Sequence, residues 1–193
     1  MAVSTAQMGK GREFGESVDL QGVRPYTGSM EGEAGPTPTE FRRVMSHLVT
    51  GITVVTSVTS DGQVYGITVN SFTSVSLHPL LVLICLDNRL AGVDSFQRGS
   101  LFGVSILAED QEEISRYFAK RGLDRSEAAY LTGATGIPLV VGALATLECE
   151  IVNVFPGGDH TIFLGQVKAC GLRPEAGTKG ALVYYKSRYR RLG

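Results

Sequence analysis

The run Gly66-Ile-Thr-Val-Asn-Ser-Phe-Thr-Ser-Val-Ser-Leu-His-Pro79 leads without a break into Leu80-Leu-Val-Leu-Ile-Cys-Leu86. Thr68, Asn70, Ser71, Thr73, Ser74 and Ser76 crowd the first segment; the second is wholly apolar. Hydroxyls, amides and main-chain N–H groups bind phosphate and ring carbonyls without fixed charge, so the first segment suits a wall that holds a polar planar ligand. The same residues also make local side-chain-to-backbone turns, and composition does not separate the two readings. The apolar run is long enough for a strand buried on both faces, as a barrel wall at a subunit contact would be.

The 193 residues suit one domain with a core able to fold alone. The formal net charge of −1 gives no electrostatic reason to expect nucleic acid or an anionic membrane as partner. Lys186, Arg188, Arg190 and Arg191 form the one basic cluster and read as a solvated tail. The longest apolar run falls far short of the roughly 18–20 residues of a membrane helix, and no apolar stretch near the N-terminus reads as a secretory signal. Cys85, Cys149 and Cys170 are widely spaced, which reads as buried thiols in a reducing cytoplasm. His47, His78 and His160 lack metal-ligand spacing, so no metal is expected.

Residues 1–35 show no period and read as a flexible N-terminal extension or an arm over a neighbouring subunit; residues 36–193 read as the folded domain. Thr37, Pro38 and Glu40 have the spacing of a capping box with proline at the first helical position. Phe41, Val44, Met45 and Leu48 then recur at helical spacing, which predicts one buried face, with Gly51 as the stop. Strands are expected at 52–58 and 63–69 around an Asp61-Gly62 turn, and Gly66 marks a bulge or close approach. Further expectations are a short helix at 91–98, a strand at 101–107, a helix at 109–121, a looser helical piece at 124–130, long strands at 143–154 and 160–172, and a last strand at 182–185. Six or more strands with two or three helices point to a β-barrel with helices packed outside. No G-x-G-x-x-G follows the first strand, no P-loop occurs, and no G-x-S-x-G marks a hydrolase elbow.

The polar run at 66–79, the apolar strand after it, Phe102-Gly-Val-Ser-Ile-Leu107, Arg116-Tyr-Phe-Ala119, Gly158-Asp-His-Thr-Ile-Phe-Leu-Gly165 and Tyr184-Tyr-Lys-Ser-Arg-Tyr189 occur in this order over one domain length. Together they resemble the flavin reductase family, over roughly residues 38–192. The resemblance implies a mainly β fold with flanking helices, the FMN-binding split β-barrel of Greek-key type, assembled as a homodimer. It implies an NAD(P)H:flavin oxidoreductase that binds FMN or FAD, takes a hydride from NADH (NADPH being possible) and supplies reduced flavin to a partner monooxygenase. A non-catalytic FMN-binding protein on the same barrel is the alternative; an oxidase of a phosphorylated B6 vitamer is disfavoured by the lack of a dense Arg/Lys pocket.

Carried over residue by residue, the resemblance puts Thr68, Val69, Asn70 and Ser71 along the isoalloxazine and ribityl chain, with Ser74, Cys85 and Leu86 bordering the groove. Family members often bind phosphate with a Ser or Thr shortly after the apolar strand. Here Asp87-Asn-Arg-Leu-Ala-Gly92 has no hydroxyl, so Asn88 and Arg89 stand in as the candidates. His160 matches the histidine placed near the nicotinamide and is the catalytic candidate; it could equally satisfy a turn. Asp159 is expected to close that turn and not to orient the ring, because strand neighbours face opposite ways. Phe118 is either a flavin neighbour or core, and Tyr185, Arg188 and Tyr189 either close the pocket or anchor the terminus.

Overall fold

The computed structural model describes residues 35–120, 125, 128–173 and 177–192. The extension read at 1–35 thus lies outside the described residues except for Gly35. Helix α1 spans Pro38–Met45 and opens with the expected capping box: Thr37 accepts from the Glu40 amide while the Glu40 carboxylate accepts from the Thr37 amide. It ends at a Ser46 cap, five residues before Gly51.

Strands follow as β1 (Thr50–Gly51), β2 (Thr53–Val58), β3 (Val64–Val69), β4 (Thr73–Leu77), β5 (Leu80–Asp87) and β6 (Leu101–Ile106). Helix α2 covers Glu112–Ala119, and then come β7 (Tyr130–Thr132), β8 (Pro138–Val140), β9 (Ala145–Gly157), β10 (His160–Leu172), β11 (Leu182–Tyr185) and β12 (Arg188–Arg191). The fold is mainly β. Seven strands form an antiparallel sheet in the order β3-β2-β6-β9-β10-β5-β4, a second sheet runs β1-β11-β12, and β7 pairs with β8. Strands β3 and β4 are the two edges of the large sheet, so among the described residues the ladder is not closed into a barrel.

Strand β2 is the one buried on both faces, from Thr53 to Ser57. Alternation sends Val55 into a core with Ile84, Phe96, Phe102, Cys149 and Phe163, and Val54 into a second core with Ile52, Leu107, Phe118 and Leu182. Strand β5, expected to be buried on both faces, alternates instead: Val82, Ile84 and Leu86 are buried and Leu81, Leu83 and Cys85 are half-covered, since only one face meets the core.

Other expectations shift. The apolar face of α1 is exposed, with Phe41 60% and Val44 69% accessible, because no described element lies over it. The segment 91–98 holds only a 3-10 turn at Val93–Ser95, where Gly92 adopts a left-handed φ of 85° that a helix cannot contain. Of the piece expected to be helical at 124–130, only 125 and 128–130 are described, and Tyr130 opens a strand. Strand β9 runs on through Pro156 to Gly157, leaving the turn to Gly158 and Asp159. The basic cluster is not a tail: Arg188, Arg190 and Arg191 form β12, with Tyr184 opposite Tyr189. No helix among the described residues is long and apolar enough to cross a membrane.

Candidate functional site

A groove of about 790 Å³ lies along the outer edge of β3, between the end of β5, the loop 89–92, the end of α2 and Arg125. Its volume falls in the range of about 300–1,000 Å³ typical of small-molecule sites. Because β3 pairs only with β2, its other edge is not used in the ladder and faces this space. An edge strand of this kind offers main-chain donors and acceptors at fixed spacing.

The polar run divides at this point. Thr68, Val69, Asn70 and Ser71 line the groove with Cys85 and Leu86. Thr73 and Ser74 are carried onto β4, at the opposite edge of the sheet, where both are exposed. Ser74 is therefore not at the groove: β4 pairs along β5 and leads the chain away from it. Thr68 Oγ1 donates to the Ser115 carbonyl at 2.6 Å, tying β3 to α2. Ser71 Oγ donates to the Cys85 carbonyl at 2.9 Å and accepts from the Cys85 amide at 3.1 Å. Partial burial pushes the Cys85 thiol up, so it stays protonated and is no nucleophile near neutral pH.

Phe118 resolves its two readings by serving both. It is 2% exposed in the second core and also lines the groove. A β-carbon added at Gly66 would lie 2.5 Å from Phe118 Cε1, so the ring sits where any other residue would put its side chain. The close approach expected at Gly66 is thus made by a side chain. On the opposite wall Gly92 does the same for the Tyr65 ring, and its positive φ also favours glycine. Burial pushes the Tyr65 phenol up, against the pull of the Arg125 charge.

His160 lines the groove at the start of β10, across the ladder from Asp87. Its Nδ1 lies 2.7 Å from Asp159 Oδ1, which overturns the expectation that Asp159 leaves the ring alone. Alternation fails here because Asp159 is in the turn, outside the strand. The bond to His160 holds the Asp159 carboxyl below the usual carboxylate range. Asn88 does not line the groove. Its amide donates to the Asp159 carbonyl at 3.0 Å and its Oδ1 accepts from Thr161 Oγ1 at 2.7 Å, so it clamps the hairpin that presents His160. Arg89 lines the groove but is 72% exposed, and its fork is taken up by Asp87 through Nε at 3.0 Å and Nη2 at 2.7 Å. That bidentate bond holds the Asp87 carboxyl well below its usual value.

The three C-terminal candidates are not brought to the groove. Tyr185 meets His47 edge-on at 6.2 Å, and Arg188 is exposed on β12. Tyr189 lies behind α2, its hydroxyl 2.9 Å from Ser115 Oγ and its ring under Arg116. It touches the groove only through Ser115 and Thr68. The β11–β12 pairing holds this segment in its own small sheet. In return the structure adds Tyr65, Leu90, Gly92, Lys120 and Arg125 to the lining. The Tyr65–Gly92 and Arg125–Gly66 contacts join positions far apart in the chain, and no local pattern marks them.

The groove offers a flat apolar interior between Phe118, Ile67 and Leu86, neutral polar groups along β3, a histidine at one end and cations at the other. Such a site takes an elongated ligand with a planar body and an anionic tail, beside a second ligand at His160. Comparison with known proteins agrees. The family model described as "Flavin reductase like domain" matches residues 45–193. The chain is 40% identical over 149 residues to the NADH-dependent flavin reductase StyB of Pseudomonas fluorescens, covering 77% of this chain and 86% of that one. The Streptomyces globisporus C-1027 NADH:FAD oxidoreductase SgcE6, solved with NAD and FAD fragments, superposes with a TM-score of 0.74 at 39% identity, over 80% of this chain and 92% of that one. The styrene monooxygenase flavin reductase of Pseudomonas putida S12 superposes with a TM-score of 0.72 at 40% identity, over 79% and 97% of the two chains.

Proposed function

The chain belongs to the flavin reductase family, and from that premise we propose that it is an NADH-dependent flavin reductase that supplies reduced FMN or FAD to a separate monooxygenase. The observation that carries this reading is the groove itself: an unpaired strand edge with Thr68, Asn70 and Ser71 on it, walled by Phe118, with His160 at its mouth. These residues fit a flavin. When bound, the flavin supplies the redox chemistry, accepting a hydride from NADH. The chain needs no nucleophile for this, in keeping with its neutral Cys85.

The residues position and shield. The outer edge of β3 and Asn70 provide hydrogen bonds for the polar edge of the ring system, and Ser71 fixes the distance between β3 and β5 that sets the groove's width. Phe118, Ile67 and Leu86 exclude water from its faces. His160, with Nδ1 engaged by Asp159, has Nε2 left to hydrogen-bond the nicotinamide carboxamide. Asn88 acts on this reaction through the hairpin and not by touching phosphate. We assign no direct flavin contact to Ser74, Tyr185, Arg188 or Tyr189.

We further propose that residues 36–193 are the catalytic domain and that it works as a homodimeric split barrel. Support comes from the exposed apolar face of α1 (Phe41, Val44 and Leu48) and from exposed Leu77 and Leu80 at the β4 edge, which a second copy would cover. Three free thiols suit a cytoplasmic location. Steady-state NADH oxidation by the purified protein, titrated with FMN and separately with FAD, tests the activity. Saturable, flavin-dependent turnover is expected. Flavin binding without turnover would reduce the protein to a flavin carrier.

A further inference from the structure

We propose that Lys120 and Arg125 form the anion seat of the groove and hold the phosphate-bearing tail of the flavin nucleotide, the role that the loop after β5 was expected to play. The proposal rests on the flavin reductase reading and concerns the opposite end of the groove from His160.

Arg125 is 6% exposed and its guanidinium lines the groove. Nε donates to the Gly66 carbonyl at 3.3 Å, Nη1 to the Tyr117 carbonyl at 2.9 Å, and Nη2 to the carbonyls of Phe118 and Lys120. A guanidinium carries five N–H groups, so one on Nη1 is left over. The acceptors are main-chain dipoles at the end of α2, which soften the positive charge but do not neutralise it. Among the described residues no carboxylate pairs with Arg125, and its charge lies over the Tyr117 and Phe118 rings. A buried cation without a counter-ion is costly unless something anionic completes its surroundings. Lys120 stands beside it, exposed, with no ion pair or hydrogen bond to its ammonium among the described residues.

The other end of the groove is electrostatically closed. Asp87 is the one carboxylate among the described lining residues, and Arg89 already holds it with both arms of its fork. From Asn70 back to Tyr65, β3 spans about 17 Å at about 3.3 Å per residue, long enough for a planar ring and its phosphate tail. A ring seated against Thr68–Ser71 thus points its tail toward Lys120 and Arg125.

The test compares binding of FMN, FAD and riboflavin, which lacks the phosphate, to the wild-type protein, Lys120→Ala, Arg125→Lys and Arg125→Met, at low and high salt. Lys120→Ala is a surface change and carries the test even if Arg125→Met fails to fold. We expect Lys120→Ala and Arg125→Met each to weaken FMN and FAD about tenfold while riboflavin changes less than about twofold. Arg125→Lys should keep most of the preference, and the steep salt dependence of FMN binding should flatten in the neutral variants. Equal weakening of FMN and riboflavin would make these residues structural and overturn the proposal, as would no change in either. A raised KM for NADH with FMN affinity intact would assign the seat to the nicotinamide nucleotide and overturn it too. If the wild-type protein bound no flavin at all, the reductase reading itself would fall.

Discussion

One hydroxyl bridges two strands that no ladder joins: Ser71 Oγ donates to the carbonyl of Cys85 and accepts from the amide of the same residue. It thereby supplies both hydrogen bonds that a neighbouring strand would make there. Strands β3 and β5 sit far apart in the sheet order, yet this stitch brings their ends to the same groove.

Ser71→Ala removes both bonds and leaves the Cys85 backbone groups to solvent. Each net bond is worth about 1 kcal/mol, so denaturant unfolding should show a loss of about 1–2 kcal/mol. The groove should loosen as well, with the FMN dissociation constant rising about tenfold. Unchanged FMN affinity in a destabilised variant would separate the stitch from the site.

Gly66→Ala forces the Phe118 ring from its seat, because the new methyl would overlap it. Overpacking of this kind costs about 1–3 kcal/mol, and a displaced ring intrudes on the groove. Flavin affinity should fall in Gly66→Ala and recover in Gly66→Ala/Phe118→Leu, the coupling of a contacting pair. Additive losses in the double variant would contradict this contact.

His160→Ala should lower kcat/KM for NADH by about a hundredfold, the scale of one positioned hydrogen-bonding group. The FMN dissociation constant should stay within about twofold, since His160 stands at the mouth and not along β3. Asp159→Asn should act in the same direction but more weakly, because it only loosens the ring. Parallel loss of flavin affinity and turnover would remove His160 from the nicotinamide side.

Glu148 anchors the turn after β7 away from the groove. Although burial opposes it, bonds from the Thr135 hydroxyl and the Thr135 and Ala134 amides hold its carboxyl below the usual value. A depressed folded-state pKa contributes stability that is present above the unfolded value and fades as pH falls through the folded one. Glu148→Gln should therefore lose about 2 kcal/mol at neutral pH by denaturant unfolding. The gap to the wild type should narrow below the usual carboxylate range; a gap constant with pH would show that the charge contributes nothing.

Local signals carried much of this in the sequence. The capping box at Thr37–Glu40, the Asp61-Gly62 turn and the long strands β9 and β10 are written in neighbouring residues, and the motif order identified the site's frame. The polar run gave half its meaning: Thr68–Ser71 reach the groove, but a change of strand sends Ser74 to the far edge, which composition does not encode. The amphipathic pattern of α1 foretold an apolar face correctly and its burial wrongly, since burial depends on what lies over it. Arg89 shows the same limit: an arginine in a phosphate loop reads as a fork until its neighbour Asp87 is seen to occupy it. Arg125 and Lys120 were missed because their importance lies in meeting Gly66 and Phe118 across the fold.

The central claim is that this chain brings NADH and a flavin together for hydride transfer. Rapid anaerobic mixing of NADH with FMN or FAD and catalytic amounts of the protein tests it most directly. The account predicts that the flavin's visible absorbance bleaches at a rate proportional to protein concentration, and that the rate collapses in His160→Ala. Bleaching no faster than in the absence of protein, with either flavin, would contradict it.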